Sequence, residues 1–264
     1  MMQKNSKNKN DRHAALDALA EKFEDLQIQC FDEIDSTNAE AKRMACGGFV
    51  GARALITART QSMGRGRMGR SFYSPADTGA YFSVLCRVSG ELIDAVTVTS
   101  AASVAVMRAI RTLTGLQAEI KWVNDLYLNG KKICGILVEG TGLENSRFMI
   151  IGIGVNISTE NFPPELREIA GAVGAHTLDA QTLIAEIYRE LAPYLDDPSN
   201  RSWLADYRTY SCVIGKRVRW MQDGVWREGT AAEIDADGAL QVETDEGEKI
   251  RLYSGEITLR TAEI

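Results

Sequence analysis

Lys121-Trp122-Val123-Asn124-Asp125-Leu126-Tyr127-Leu128-Asn129-Gly130-Lys131-Lys132-Ile133-Cys134-Gly135-Ile136-Leu137-Val138-Glu139 reads as two largely apolar runs folded about Asn129-Gly130. Asn-Gly between such runs is a strong signal for a two-residue hairpin turn, so Lys132 begins the returning strand. A lysine entering an apolar strand either snorkels to the surface or is aimed into a site. A second apolar strand is expected over 148–157, with a hairpin across 141–146. It contains Gly152-Ile153-Gly154-Val155-Asn156-Ile157, and glycine inside a strand marks either a bulge or the close approach of something else. Both readings stay open at this point.

Upstream, Ala14, Leu16, Leu19, Phe23 and Leu26 recur at helical spacing and predict an amphipathic helix over 12–26, followed by an alternating strand over 27–33. Asp35-Ser36-Thr37-Asn38 offers several N-cap side chains to a helix over 39–46, closed by Gly47-Gly48. Strands are expected over 54–57 and 79–88. Between Leu92 and Leu113 the run VTVTSAASVAV is apolar on nearly all sides, which suits a helix buried against a sheet. Asp179 can cap a helix over 180–195, and Ser199 another reaching about Tyr210.

From Val213 onward short alternating runs (216–221, 225–234, 239–243, 249–253, 256–259) are separated by Asp223-Gly224, Asp237-Gly238 and Glu246-Gly247. These runs predict a five-stranded unit of the size of a small SH3-like barrel. The chain is expected to divide into a disordered leader over 1–12, a larger domain over 13–212 and this barrel over 213–264.

At 264 residues, 45% apolar and 25% charged, the composition suits one large or two modest domains and excludes disorder or a fibre. Thirty basic against 36 acidic residues give a net charge of -6, which disfavours nucleic acid and anionic lipid as partners of the whole chain. Charge-free stretches such as 96–107 and 148–157 fall short of the roughly 20 apolar residues that span a bilayer. The N-terminal MMQKNSKNKNDR is basic without a following apolar run, so no signal peptide is expected and the chain reads as cytoplasmic. Cys30, Cys46, Cys86, Cys134 and Cys212 lie far apart and are read as reduced, mostly buried thiols. Two histidines, His13 and His176, leave little from which to build a zinc or iron site.

Gln61-Ser62-Met63-Gly64-Arg65-Gly66-Arg67-Met68-Gly69-Arg70 departs from this acidic background, with no acid between residue 53 and Ala76. Glycine lets the backbone bend sharply and approach a ligand, and arginine offers a planar fork for carboxylate or phosphate oxygens. The composition is that of an anion-gripping loop, although it lacks the Lys-Ser or Lys-Thr of a Walker motif.

Taken in order, Ser36-Thr37-Asn38, GRGRMGR at 64–70, KWVND at 121–125, Lys132 before Gly135-Ile136-Leu137, GIGVN at 152–156 and the barrel resemble the biotin protein ligase family from about Phe31 to the end. The resemblance implies an α+β fold: a mixed-sheet catalytic domain similar to the class II aminoacyl-tRNA synthetase and biotin ligase fold, with an SH3-like C-terminal domain. It implies that biotin and ATP with Mg2+ form biotinyl-5'-adenylate. The acyl group would then pass to a lysine on the biotin carboxyl carrier domain of an acetyl-CoA or related carboxylase. It assigns Ser36, Thr37, Asn38 and Gln61 to biotin and makes Arg65, Gly66 and Arg67 a lid over biotin and phosphate. Arg70 would hold the phosphates, and Lys132 the biotin carboxylate or acyl-phosphate oxygen. Asn124 and Asn156 would face the adenylate, with Phe72 stacking on adenine where well-known bacterial members have tryptophan. Asp125 would orient the arginines or the metal. Val123 stands where the family pattern has proline.

A lipoate ligase or lipoyl/octanoyl transferase resembles the same catalytic fold, but the intact arginine loop and the barrel argue against it. Some relatives carry a DNA-binding winged helix. The 35 residues before Ser36 hold a single helix, so an enzyme without operator binding is expected, with a homodimer possible.

Overall fold

Strand alternation sets up two packing faces on a single mixed sheet. The computed structural model describes residues 14–88, 94–143, 146–253 and 257–259. In chain order the elements are α1 (Ala14–Lys22), β1 (Leu26–Ile34), α2 (Thr37–Cys46), β2 (Arg53–Gln61), β3 (Gly79–Val88), α3 (Ala95–Thr114), β4 (Glu119–Lys121) and β5 (Asp125–Leu128). They continue with β6 (Lys131–Leu143), β7 (Ser146–Asn156), α4 (Ala180–Asp196), α5 (Leu204–Thr209), β8 (Arg217–Gln222), β9 (Val225–Ile234), β10 (Leu240–Glu243), β11 (Lys249–Leu252) and β12 (Ile257–Leu259). Seven strands pair in the order β1-β2-β3-β7-β6-β5-β4, with β1 parallel to β2 and the other pairings antiparallel.

On one face Leu55, Val84, Ile136, Ile151 and Ile153 meet α3 and α4 in the main core. On the other, Ala54, Ile56, Leu85 and Ile150 pack beneath Ala41 and Ala45 of α2. The run 96–107 is buried throughout, as its all-round apolar character predicts. Asp94 caps α3 through Thr97 N–H, and Gly115 closes it in the left-handed region.

Several boundaries differ from expectation. The first helix stops at Lys22 because Leu26 already pairs with Arg53 as a strand residue; residues 12–13 lie outside those described, as does the leader 1–12. Strand β4 is unanticipated, being three residues held between β5 and a bridge to Ser211. Ser199 caps nothing: its N–H and hydroxyl both donate to Asp197 in a local turn, and α5 begins only at Leu204. Residues 144–145, 92–93 and 256, which touch the expected hairpin tip, the start of the long helix and the last strand, lie outside the described residues. Three cysteines are buried, but Cys30 and Cys46 are exposed, so the thiols are less uniformly buried than expected.

The second sheet has the order β11-β10-β9-β8-β12 and is wholly antiparallel. At Asn129-Gly130 and Asp223-Gly224 both turn residues have positive φ, the backbone that Asn-Gly and Asp-Gly favour in two-residue hairpins. The barrel does not stand apart from the larger sheet. Val218, Trp220, Ala231 and Leu240 belong to the same apolar core as α3 and α4. One barrel turn receives four donors from the other side: Arg208 Nε to Ile234 O, Arg201 Nε to Ala236 O, Thr97 Oγ1 to Asp237 O and Trp122 Nε1 to Gly238 O.

Candidate active site

A cavity of about 370 Å³ opens on the α2 face of the large sheet, and every residue singled out from the sequence lines it: Ser36, Thr37, Asn38, Gln61, Arg65, Gly66, Arg67, Arg70, Phe72, Asn124, Asp125, Lys132 and Asn156. Its floor follows from register. Gly152 lies opposite Ser83 and Leu137, and Gly154 lies opposite Tyr81 and Gly135, so the glycines form a trough on β6 and β7 beside β3. The pairing of β7 to both neighbours is continuous, which removes the bulge reading. Close approach is the reason for the glycines. A Cβ on Gly152 would stand 2.1 Å from Asn38 Oδ1, and one on Gly154 2.5 Å from Phe72 Cε1. Phe72 rests in this trough with its edge to Tyr81, ring centroids 6.3 Å apart.

At the α2 end, the side chains expected to cap the helix do something else. The helix starts at Thr37, and Ser36 makes no side-chain cap. Gln61 Oε1, from the end of β2, accepts Thr37 N–H at 2.9 Å instead. Gln61 Nε2 donates to Ser74, and Asn38 Nδ2 donates to Glu139 at 2.8 Å. Thr37 and Asn38 both touch the buried Ser83 hydroxyl. Ser83 and Glu139 were not anticipated; a serine and a glutamate in alternating strands carry no signal of their own until register brings them to Asn38.

The arginine loop is folded on itself. Gly66 N–H donates to Arg70 O, Phe72 N–H donates to Gly64 O, and Arg67 to Gly69 makes a single 3-10 turn with Met68 and Gly69 at positive φ. Only Gly69 among these glycines answers a positive-φ demand; Gly64 is needed because a Cβ would meet Phe72 O at 2.4 Å. Arg67 Nη1 reaches across to Asn124 Oδ1 at 2.9 Å, and Asn124 Nδ2 donates to Asp125 Oδ1 at 2.8 Å. Asp125 Oδ1 lies 2.7 Å from Lys132 Nζ. Lys132 thus points into the cavity and does not snorkel. Asp125 meets Lys132 directly and is linked to Arg67 through Asn124. Among the described residues no three His, Cys, Asp or Glu side chains cluster as a metal site, so Asp125 offers a single carboxylate. That fits a magnesium ion carried in by a triphosphate, which keeps most of its ligands as phosphate and water. Asn156 Nδ2 donates to Gly171 O, and Val123, joined to Trp122 by a cis peptide, receives Tyr207 OH at its carbonyl.

Beyond the motifs, Phe162, Leu166 and Ile169 form an apolar wall, and Ile257 of the barrel reaches the same cavity. Cys134 is fully buried beside Lys132, and burial drives its thiol above the ordinary range, which disfavours the thiolate that a nucleophile needs.

Residues 31–156 match the biotin/lipoate A/B protein ligase family, and residues 213–260 match the biotin protein ligase C terminal domain. The bifunctional ligase/repressor BirA of Bacillus spizizenii is 34% identical over 241 residues, covering 86% of this chain and 72% of the relative. The chain belongs to the biotin protein ligase family. The biotin--[acetyl-CoA-carboxylase] ligase of Paracoccus denitrificans is a further relative of this biotin protein ligase family member, 32% identical over 82% of this chain and 94% of its own length. The fold is likewise that of the biotin protein ligase from Aquifex aeolicus in complex with biotin and ATP, with a TM-score of 0.75, 24% identity, and coverage of 89% of this chain and 99% of that one. Among the described residues no helix is long and apolar enough to cross a membrane.

Proposed function

We propose that this member of the family is an ATP-dependent biotin protein ligase that joins biotin to one lysine of a biotin carboxyl carrier domain in the cytoplasm. The observation that carries the proposal is the convergence of Arg65, Arg67, Arg70 and Lys132 with the polar set Ser36, Thr37, Asn38 and Gln61 on one cavity. The first step brings two anions together, since the biotin carboxylate must attack the α-phosphate of ATP and expel pyrophosphate. Fixed cations and prior positioning are what such a step needs, and no covalent enzyme nucleophile enters it. Lys132, steered by Asp125, holds the carboxylate oxygen as it becomes the acyl-phosphate bridge. Arg65 and Arg67 close over biotin and the α-phosphate, Arg70 takes the outer phosphates, and Asn124 and Asn156 face the adenylate. Phe72 offers its uncovered face to adenine. Ser36, Thr37, Asn38 and Gln61 hold the ring urea. In the second step the carrier amine attacks the acyl carbon and AMP leaves.

The larger domain, 13–212, carries this chemistry, with the barrel 213–264 completing one wall. We assign the chain no operator-binding role, and specific biotin-dependent retention of DNA in a low-salt gel shift would overturn that. The decisive experiment mixes the protein with MgATP, a carrier domain and either biotin or lipoate, then weighs the carrier. A mass gain for biotin alone supports the reading. A gain for lipoate instead would move the protein to the lipoate ligases.

A further inference from the structure

Between β7 and α4 the chain returns to the cavity in a stretch that none of the sequence motifs covers. Residues 161–171 bring Phe162, Leu166 and Ile169 to its lining. Phe162 is buried, whereas Ile169 is 58% exposed, a large apolar side chain standing on an open wall. Such a side chain gains when a flat apolar surface covers it.

Both ends of this segment are fastened by the site itself. At the start, Tyr73 OH donates to Asn161 O at 3.3 Å, and the Tyr73 and Phe162 rings meet with centroids 6.2 Å apart. At the finish, Lys132 N–H donates to Ile169 O at 2.8 Å and Gly171 N–H donates to Lys132 O at 2.9 Å. Asn156 Nδ2 adds its bond to Gly171 O at 2.9 Å. The wall therefore runs from the neighbour of Phe72 to Asn156 and the backbone of Lys132, groups that the reaction above places around the adenylate.

Its middle is held from behind. Lys131 is not among the cavity-lining residues, and its stem crosses Gly171, where a Cβ would stand 2.8 Å from Lys131 Cβ. Beyond that crossing Lys131 Nζ donates to Arg167 O at 2.7 Å, and Arg167 Nε donates to Phe162 O at 3.1 Å. Arg167 directly follows Leu166, so this bond fixes the turn from which Leu166 and Ile169 reach the cavity. One strand end thus sends Lys132 into the cavity and its neighbour to the back of the apolar wall.

We propose that Lys131 is a positioning residue for the nucleotide: by holding Arg167 O it keeps Leu166 and Ile169 turned towards the adenine base. The proposal rests on the ATP-dependent reading above. Methionine at 131 keeps an apolar stem over Gly171 and loses the donor, while both ends of the segment stay fastened. The wall then wavers without the fold giving way. Because the wall is uncharged, the effect falls on the base, and a direct pull of the lysine charge would fall on the phosphates.

The test compares wild type, Lys131→Met and Lys131→Arg in steady-state biotinylation of a carrier domain, with adenosine or inorganic pyrophosphate added as competing ligands. Lys131→Met is expected to raise the KM for ATP about three- to tenfold and to weaken inhibition by adenosine in the same proportion. Inhibition by pyrophosphate, kcat at saturating ATP, calorimetric biotin affinity and melting temperature should stay close to wild type. Lys131→Arg keeps a donor and should recover most of the loss. An unchanged KM for ATP in Lys131→Met would overturn the proposal. So would weaker inhibition by pyrophosphate with adenosine unmoved, which marks a direct charge effect, or a parallel fall in biotin affinity and melting temperature, which marks a purely structural role. A wild type that adds no biotin to the carrier would instead fail the reading on which the proposal rests.

Discussion

Lys132 and Asp125 meet at 2.7 Å while both line the cavity, so the lysine is aimed before any substrate arrives. Lys132→Ala removes a charge-assisted contact worth about 1.5–3 kcal/mol, and adenylate formation should fall at least ten- to a hundredfold. Pyrophosphate release in the absence of carrier measures this directly, and an unchanged rate would remove Lys132 from the reaction. Arg67 is different in kind, because its bond to Asn124 ties the loop to the opposite wall. Arg67→Gly should loosen that closure and let the adenylate escape. Bystander lysines on an added albumin should then become biotinylated, while strict labelling of the carrier would contradict the lid role. A third residue governs acid behaviour. Hydrogen bonds from the Arg43 guanidinium are the main cause holding the Asp35 carboxyl at about 2, below its ordinary 3.8. A depressed carboxyl stabilises the fold above its ordinary value and loses that contribution as pH falls from about 4 towards 2. The pair is exposed, so the effect is modest. Asp35→Asn should flatten this acid limb in a denaturation series and lower stability slightly at neutral pH, where the contribution is fully present.

At the level of elements, the glycine trough of β6 and β7 makes a sharp demand on volume. Gly154→Ala places a methyl 2.5 Å from Phe72 and should cost about 1–3 kcal/mol in stability, together with loss of activity. The same substitution in a Phe72→Ala background should cost less, and a double-mutant cycle by urea denaturation reads the difference. The trough also shows what the sequence made legible. Glycines, arginines and an Asn-Asp pair inside apolar runs stand out because each is costly in a core without a purpose. Ser83 and Glu139 do not stand out, since their alternation is that of any half-buried strand. Their partnership with Asn38 spans 45 and 101 positions and exists only through sheet register. Strand β4 escaped notice for a related reason: three residues hold no period, and the bond partners of the strand supply its identity. The expected caps at Ser36 and Ser199 misled because a polar side chain beside a helix start has competing partners, Gln61 taking over in one case and Asp197 in the other.

For the whole molecule, the division between the larger sheet and the barrel is readable from texture, while their union is not. Trp122 looks like a core residue of the KWVND motif, and its indole N–H in fact reaches Gly238 on a barrel turn at 2.9 Å. Trp122→Phe leaves that buried carbonyl without its donor and should destabilise the protein by about 1–3 kcal/mol. Both sheets should melt together, because they share one core. A scan that resolved two separate transitions, one for each sheet, would show that the four bonds to the turn over 234–238 couple less than their geometry implies. Ile257 adds a temporal dimension to this union. Synthesis runs from the N-terminus, and the motifs that hold the substrates lie between residues 36 and 156, yet one wall of their cavity comes from a strand a hundred residues later. A chain still on the ribosome can display every arginine and lysine of the site and still leave it open on one side. Closure of that wall therefore waits until translation has passed Ile257.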